Sequence, residues 1–166
     1  GDERFAVLLP DELLHGERPA LAQCLDTDGD CVLGLARVPR SEVHRYGIVR
    51  VAQQLDERTF LLDGMVEKPR PEDAPSDLII TGNPYVLTPE VFDVLERTPR
   101  GAGGEIQLTD ALKVLATRTR FVGRIVEGER HDVGTLLGFL QANDALGLAD
   151  PAAGPGLRKW IESRLS

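Results

Sequence analysis

Five apolar residues in an unbroken row, Phe5-Ala6-Val7-Leu8-Leu9, are stopped by Pro10 and followed at once by Asp11. Such a run has no polar face to offer water. It predicts a strand buried on both sides in a parallel or mixed sheet. A buried strand needs neighbours, and the chain supplies candidates. Residues 31–38, 43–51, 59–68, 77–87 and 121–127 are all of strand length and rich in apolar side chains. The fourth is interrupted at Gly82-Asn83-Pro84.

Helical patterns lie between these runs. Residues 19–25 predict a short helix. Residues 90–97 predict another, with Thr88 as N-cap and Pro89 at the first helical position. Residues 107–117 place Leu108, Leu112 and Leu115 on one side of a helix. Residues 135–146 form a further helix capped by Thr135, and residues 152–156 read as a linker to a last helix over 157–165. Pro69, Pro71 and Pro75 keep residues 69–75 irregular. Strands mixed with helices in this way imply an α/β fold with a sheet of mixed direction.

The chain has 166 residues, enough for one domain with a real core. Its net charge of −8 argues against nonspecific nucleic-acid binding, which is driven by neutralising phosphates. No apolar run approaches the roughly 20 residues that span a bilayer. Gly1-Asp2-Glu3-Arg4 shows no signal-peptide pattern, so the expected compartment is the cytoplasm, with no membrane partner. Cys24 and Cys31 fit neither a metal cluster nor a disulfide framework. They read as buried thiols, a bridge between them being the alternative. Asp26-Thr27-Asp28-Gly29-Asp30 resembles a calcium loop, but Cys31 stands where the loop glycine belongs and Arg37 where the closing glutamate belongs. A solvated turn is the better reading.

A few residues have chemistry to offer. Asp11 follows a strand, and open α/β sheets bind ligands at strand ends. Asp132, in Arg130-His131-Asp132-Val133-Gly134-Thr135, precedes a helix. Each also reads as a capping or turn acid. Together they offer the paired carboxylates that magnesium takes alongside phosphate and water. Glu67-Lys68-Pro69 ends a strand; the acid suits sugar hydroxyls and the lysine a phosphate, while the plainer reading is an exposed charged pair. Gly47, after Tyr46, lets backbone approach a ligand closely or simply bends a strand. Residues 101–104 form a flexible glycine-rich turn that is neither a P-loop nor a dinucleotide fingerprint. His15, His44 and His131 show no ligand spacing, and Trp160 reads as packing for the last helix.

The motifs in order are Leu8-Leu9-Pro10-Asp11, Arg45-Tyr46-Gly47-Ile48-Val49, Met65-Val66-Glu67-Lys68-Pro69, Gly104-Glu105-Ile106-Gln107-Leu108-Thr109-Asp110 and His131-Asp132-Val133-Gly134. From Phe5 to Leu148 this series resembles the bacterial UTP–glucose-1-phosphate uridylyltransferases. The resemblance implies a Rossmann-like α/β fold and an enzyme making UDP-glucose and pyrophosphate from UTP and glucose 1-phosphate. It implies that Asp11 and Asp132 hold Mg2+, that Glu67 accepts sugar hydroxyls, that Lys68 contacts the sugar phosphate and that Gly47 gives a backbone contact. Asp11, Lys68 and Asp132 are then the catalytic group, with Gln107 and Asp110 shaping the site.

Family members open with a strand, a glycine-rich loop carrying Arg and Lys, and a uracil-binding segment, and the chain shows no counterpart of these. The expectation is therefore a sheet truncated at its N-terminal side. Residues 1–150 would be the sugar-phosphate and metal part, and 151–166 a linker and terminal helix. Such a chain is expected to have weak or no activity alone and to self-associate as a homo-oligomer. The helix near residues 21–25 is short for the family, and Gly82-Asn83-Pro84-Tyr85 has one residue more than the usual Gly-Arg-Tyr. The alternatives are a non-catalytic binding or assembly module that keeps the fold, and a related transferase for another sugar nucleotide.

Overall fold

The computed structural model describes residues 1–101 and 104–165. Ala102 and Gly103, part of the glycine-rich turn expected from the sequence, lie outside the described residues, as does Ser166. Among the described residues eight strands and five α-helices follow one another: β1 Phe5–Val7, β2 Glu12–His15, α1 Ala20–Leu25, β3 Cys31–Arg37, β4 Gly47–Gln54, β5 Thr59–Glu67, β6 Leu78–Leu87, α2 Glu90–Arg97, α3 Leu108–Leu115, β7 Phe121–Ile125, β8 Glu129–Asp132, α4 Leu136–Ala149 and α5 Gly154–Leu165.

Six strands form one sheet in the order β1-β6-β3-β7-β5-β4. β3 and β7 run parallel and every other pair is antiparallel, so the sheet is mixed, as the alternation of elements implied. β4 also pairs with β6 at Ile48 and Ile79, which curls that end of the sheet back on itself. Helices cover both faces. Leu33, Leu35, Phe121 and Leu87 pack with Val91 and Val94 of α2 and Leu112 and Leu115 of α3. Val32, Val86 and Val122 point the other way, against Ala20 and Cys24 of α1. Strand alternation produces this division, since adjacent side chains face opposite sides. Both cysteines are free and buried.

A second, two-stranded sheet pairs β2 with β8, Glu12 opposite Asp132 and His15 opposite Glu129. The sequence reading missed both strands. Each is four residues long, β2 has only two apolar residues and β8 none, and each depends on a partner far away in the chain.

Other boundaries also moved. Among the described residues the apolar run at residues 5–9 forms an edge strand, not a central one: β1 pairs with β6 alone, and Leu8, past its end, is 53% exposed. Residues 40–45 form a 3₁₀ turn before β4. Thr88 does not cap α2 with its side chain; the hydroxyl lies 3.8 Å from Cys31 Sγ, and the helix starts after Pro89. The expected interruption at Gly82-Asn83-Pro84 is a bulge inside a longer strand, because Leu33 pairs with Tyr85 while Leu35 pairs with Ile80. Gly34 allows it, since a Cβ there would lie 2.6 Å from Thr81 Oγ1. The expected linker at 152–156 is a turn that runs into α5, with Asp150 Oδ1 accepting from the amides of Ala152 and Ala153. Thr135 caps α4 as expected, accepting from the Gly138 amide. Among the described residues no helix is long and apolar enough to cross a membrane.

Candidate functional site

The β6 bulge, the start of β4, the end of β5 and the β2–β8 ribbon meet around one cavity of about 470 Å³. Its floor includes Ile80, Gly82 and Tyr85 of β6, and Leu108, Thr109 and Leu112 of α3 close one side. Two walls carry the polar groups.

The first wall belongs to the main sheet. Gly47 opens β4 and pairs with Glu67, which ends β5. A Cβ at Gly47 would stand 3.2 Å from Glu67 Oε2 and 3.2 Å from Ile80 Cδ1, so any larger residue crowds the carboxylate. Thr109 Oγ1 donates to Glu67 Oε2 at 2.7 Å, and Lys68 Nζ stands 3.8 Å from Glu67 Oε1. Lys68 has φ 46°, a left-handed conformation that non-glycine residues adopt sparingly. Its amide donates to Tyr46 O at 3.0 Å, which holds the turn in place. Strain of this kind concentrates at functional sites.

The second wall belongs to the ribbon. The Val133 amide donates to Asp11 O at 2.9 Å, tying the approach to β2 to the exit from β8. The side chains of Asp11 and Asp132 both approach Gly134. A Cβ there would lie 3.3 Å from Asp132 Oδ1 and 3.6 Å from Asp11 Oδ2, so any larger residue would crowd both carboxylates. Asp132 Oδ1 also accepts from the Gly134 amide at 3.2 Å, and Oδ2 from Arg45 Nη2 at 3.1 Å. Beside them Arg130 Nη2 donates to the buried Glu12 Oε2 at 2.6 Å, while Glu12 Oε1 and Arg130 Nε make no hydrogen bond. Burial works against the Arg130 charge, but the Glu12 carboxylate and the Tyr46 hydroxyl outweigh it and hold the pKa above its ordinary value.

Tyr85 lies beneath both walls. Burial first, then the charges of Glu12, Glu67 and Asp11, push its phenol up to about 12, so it stays protonated near neutral pH. The pocket is thus acidic and ringed by three cations, Arg45, Lys68 and Arg130. Among the described residues no three His, Cys, Asp or Glu side chains gather as a metal cluster. Asp11 and Asp132 border the same cavity, and two hard carboxylates are the kind of ligand that an ion such as magnesium takes alongside water and phosphate.

All five residues singled out from the sequence, Asp11, Gly47, Glu67, Lys68 and Asp132, border this cavity. Gln107 does too, while Asp110 faces a neighbouring cavity shared with Lys113. The sequence reading missed Glu12, Arg130, Thr109 and Tyr85. Glu12 and Arg130 each stand beside or near a chosen acid, and Thr109 lies within the Gln107-Leu108-Thr109-Asp110 motif. Their charge or hydroxyl was visible, but their burial and pairing were not.

The chain matches the nucleotidyl transferase family over residues 1–147. It is 41% identical to the UTP–glucose-1-phosphate uridylyltransferase of Staphylococcus epidermidis, over 98% of this chain and 57% of that enzyme. The UTP-bound UGPase from Acinetobacter baumannii superposes with a TM-score of 0.82 at 34% identity, over 97% of this chain and 56% of that one. A UDP-glucose pyrophosphorylase complexed with UDP-glucose gives 0.77 at 36% identity, over 88% of this chain and 57% of that one. The chain therefore spans little more than half the length of these relatives. Matched over most of its residues, and sharing the relatives' mixed α/β architecture, the chain belongs to the nucleotidyl transferase family.

Proposed function

We propose that this chain carries the sugar-phosphate and metal half of a UTP–glucose-1-phosphate uridylyltransferase. Such an enzyme joins UTP and glucose 1-phosphate into UDP-glucose and releases pyrophosphate. The observation that carries the reading is the meeting of the Glu67–Lys68 wall and the Asp11–Asp132 wall at one cavity.

On this reading Glu67, oriented by Thr109, accepts hydrogen bonds from sugar hydroxyls, and Gly47 lets the ring approach the backbone. Lys68 neutralises the sugar phosphate. Asp11 and Asp132 hold Mg2+, which when bound supplies charge neutralisation for the phosphates. The sugar-phosphate oxygen attacks the α-phosphorus of UTP in line with the departing pyrophosphate. No covalent enzyme residue is needed, because positioning and electrostatics carry such transfers. Residues 1–150 hold this site, and 151–166 add the turn and last helix. The same reading makes the protein cytoplasmic, with glucose 1-phosphate, UTP and UDP-glucose as its ligands.

One observation favours an assembly role besides. α4 exposes Leu136 (76%), Leu137, Phe139 and Leu140, an apolar face suited to self-association into a homo-oligomer. A molar mass that rises with concentration in light scattering supports this, and a constant monomer mass opposes it.

Ligand-detected NMR tests the site. Glucose 1-phosphate should give saturation transfer where glucose gives little. Lys68→Ala should erase that preference, and Glu67→Gln should weaken both sugars. Equal signals from both ligands in the native chain, or none, would contradict the proposal.

A further inference from the structure

Two arginines share the rim above Tyr46, and they are held differently. The Arg130 guanidinium lies 5.0 Å from the ring centroid and is fixed by Glu12, its side chain only 20% exposed. The Arg45 guanidinium lies 5.3 Å from the same ring, but its side chain is 44% exposed. Its bonds are looser, at 3.1 Å to Asp132 Oδ2 and 3.7 Å to Glu42 Oε2. Arg45 also borders a second cavity of about 300 Å³ that shares Tyr46, Arg130 and Asp132 with the main one, so its head group has room to move.

Asp132 Oδ2 is bonded to this guanidinium while Oδ1 accepts from the Gly134 amide, and Asp11 borders the same cavity. A divalent cation held by the two acids and a guanidinium on the same carboxylate repel each other. The half-exposed pair is the weaker bond, since exposed ion pairs contribute little. We infer that Arg45 is an exchangeable counter-ion of Asp132: bonded to it in the cation-free protein, displaced when a divalent cation takes the acid pair, and then available to the phosphate of the bound sugar phosphate. A planar guanidinium fits phosphate oxygens well. It would add a second cation to the phosphate beside Lys68, so that cation and sugar phosphate strengthen one another's binding. This rests on the functional reading above and adds to it the residue that couples the two ligands.

Titration of the chain with Mn2+ as the probe, read by the loss of free-ion electron paramagnetic resonance signal, tests the exchange without an activity assay. Arg45→Gln should bind Mn2+ up to about fivefold more tightly, the range set by removing a competing exposed ion pair. In an Asp132→Asn background the same substitution should change Mn2+ affinity little, because the competition acts through that carboxylate. Glucose 1-phosphate affinity should rise with Mn2+ in the native chain and rise clearly less in Arg45→Gln. Native binding of both ligands with an unchanged or weaker Mn2+ affinity in Arg45→Gln overturns the exchange alone. A gain of full size in the Asp132→Asn background also overturns it, since distant charge then suffices. Absence of Mn2+ binding in native chain and Arg45→Gln overturns the exchange and the functional reading together.

Discussion

The two walls of the pocket reach the same cavity by different physics. The Glu67–Lys68 wall ends long strands of the main sheet, and the side chains behind it are apolar and fully enclosed. The Asp11–Asp132 wall sits on a two-stranded ribbon, four residues to a strand, that holds an ion pair with unsatisfied atoms. The first wall inherits its stiffness from the core. The second depends on a few charged contacts, which makes it the wall able to answer a change in bound charge.

The largest effect should come from the shared core. Phe121, which opens β7, is fully buried in the core cluster that includes Leu112 and Leu115 of α3. Phe121→Ala should cost about 3–5 kcal/mol in urea denaturation and weaken ligand binding, because the strands that carry the Glu67–Lys68 wall share that core. Breaking only the ribbon should cost less overall and separate the walls. Arg130→Ala leaves the Glu12 carboxylate buried and unpaired and should cost about 3 kcal/mol. The double change Glu12→Gln with Arg130→Met should recover most of that loss. If Arg130→Ala proves neutral in the same denaturation series, the ribbon is not held by this pair.

Gly47→Ala probes the other wall. The added methyl meets Glu67 Oε2 and Ile80 at 3.2 Å, so the carboxylate must shift. Glucose 1-phosphate should bind about tenfold more weakly, which corresponds to about 1.4 kcal/mol, with a much smaller change in melting temperature. An equal loss of stability and affinity would mean that the glycine serves the strand and not the ligand.

The effect least tied to either wall is a pH dependence. Burial raises the Cys24 thiol from 9.0 to about 12, and burial with three nearby acids raises the Tyr85 phenol from 10.0 to about 12. Both groups titrate higher in the folded chain than in the unfolded one. Their stabilisation is therefore complete below about pH 9 and is lost as pH rises towards 12. Urea midpoints should be flat up to pH 9 and then fall. Cys24→Ala should flatten the early part of that fall, and Tyr85→Phe the later part.

Much of this was legible in the sequence, for reasons that differ by element. β3, β5 and β7 are enclosed by their neighbours, so apolar content alone marked them. Asp11, Glu67, Lys68 and Asp132 stand at the ends of elements, where local punctuation by proline or glycine drew attention to them. The ribbon was not legible. Glu12-Leu13-Leu14-His15 carries no strand signal of its own, and its pairing with Glu129–Asp132 is a tertiary event. The Glu12–Arg130 pair was hidden for the same reason. The edge position of β1 was invisible too, because an apolar run shows how much it wants burial and not how many neighbours it obtains.

The most direct test of the central claim is calorimetric titration with glucose 1-phosphate, with and without Mg2+, on the native chain and on Asp11→Ala. The account predicts binding that strengthens with Mg2+ in the native chain and loses that dependence in Asp11→Ala. No heat from a folded native sample, or binding indifferent to both Mg2+ and Asp11, would contradict it.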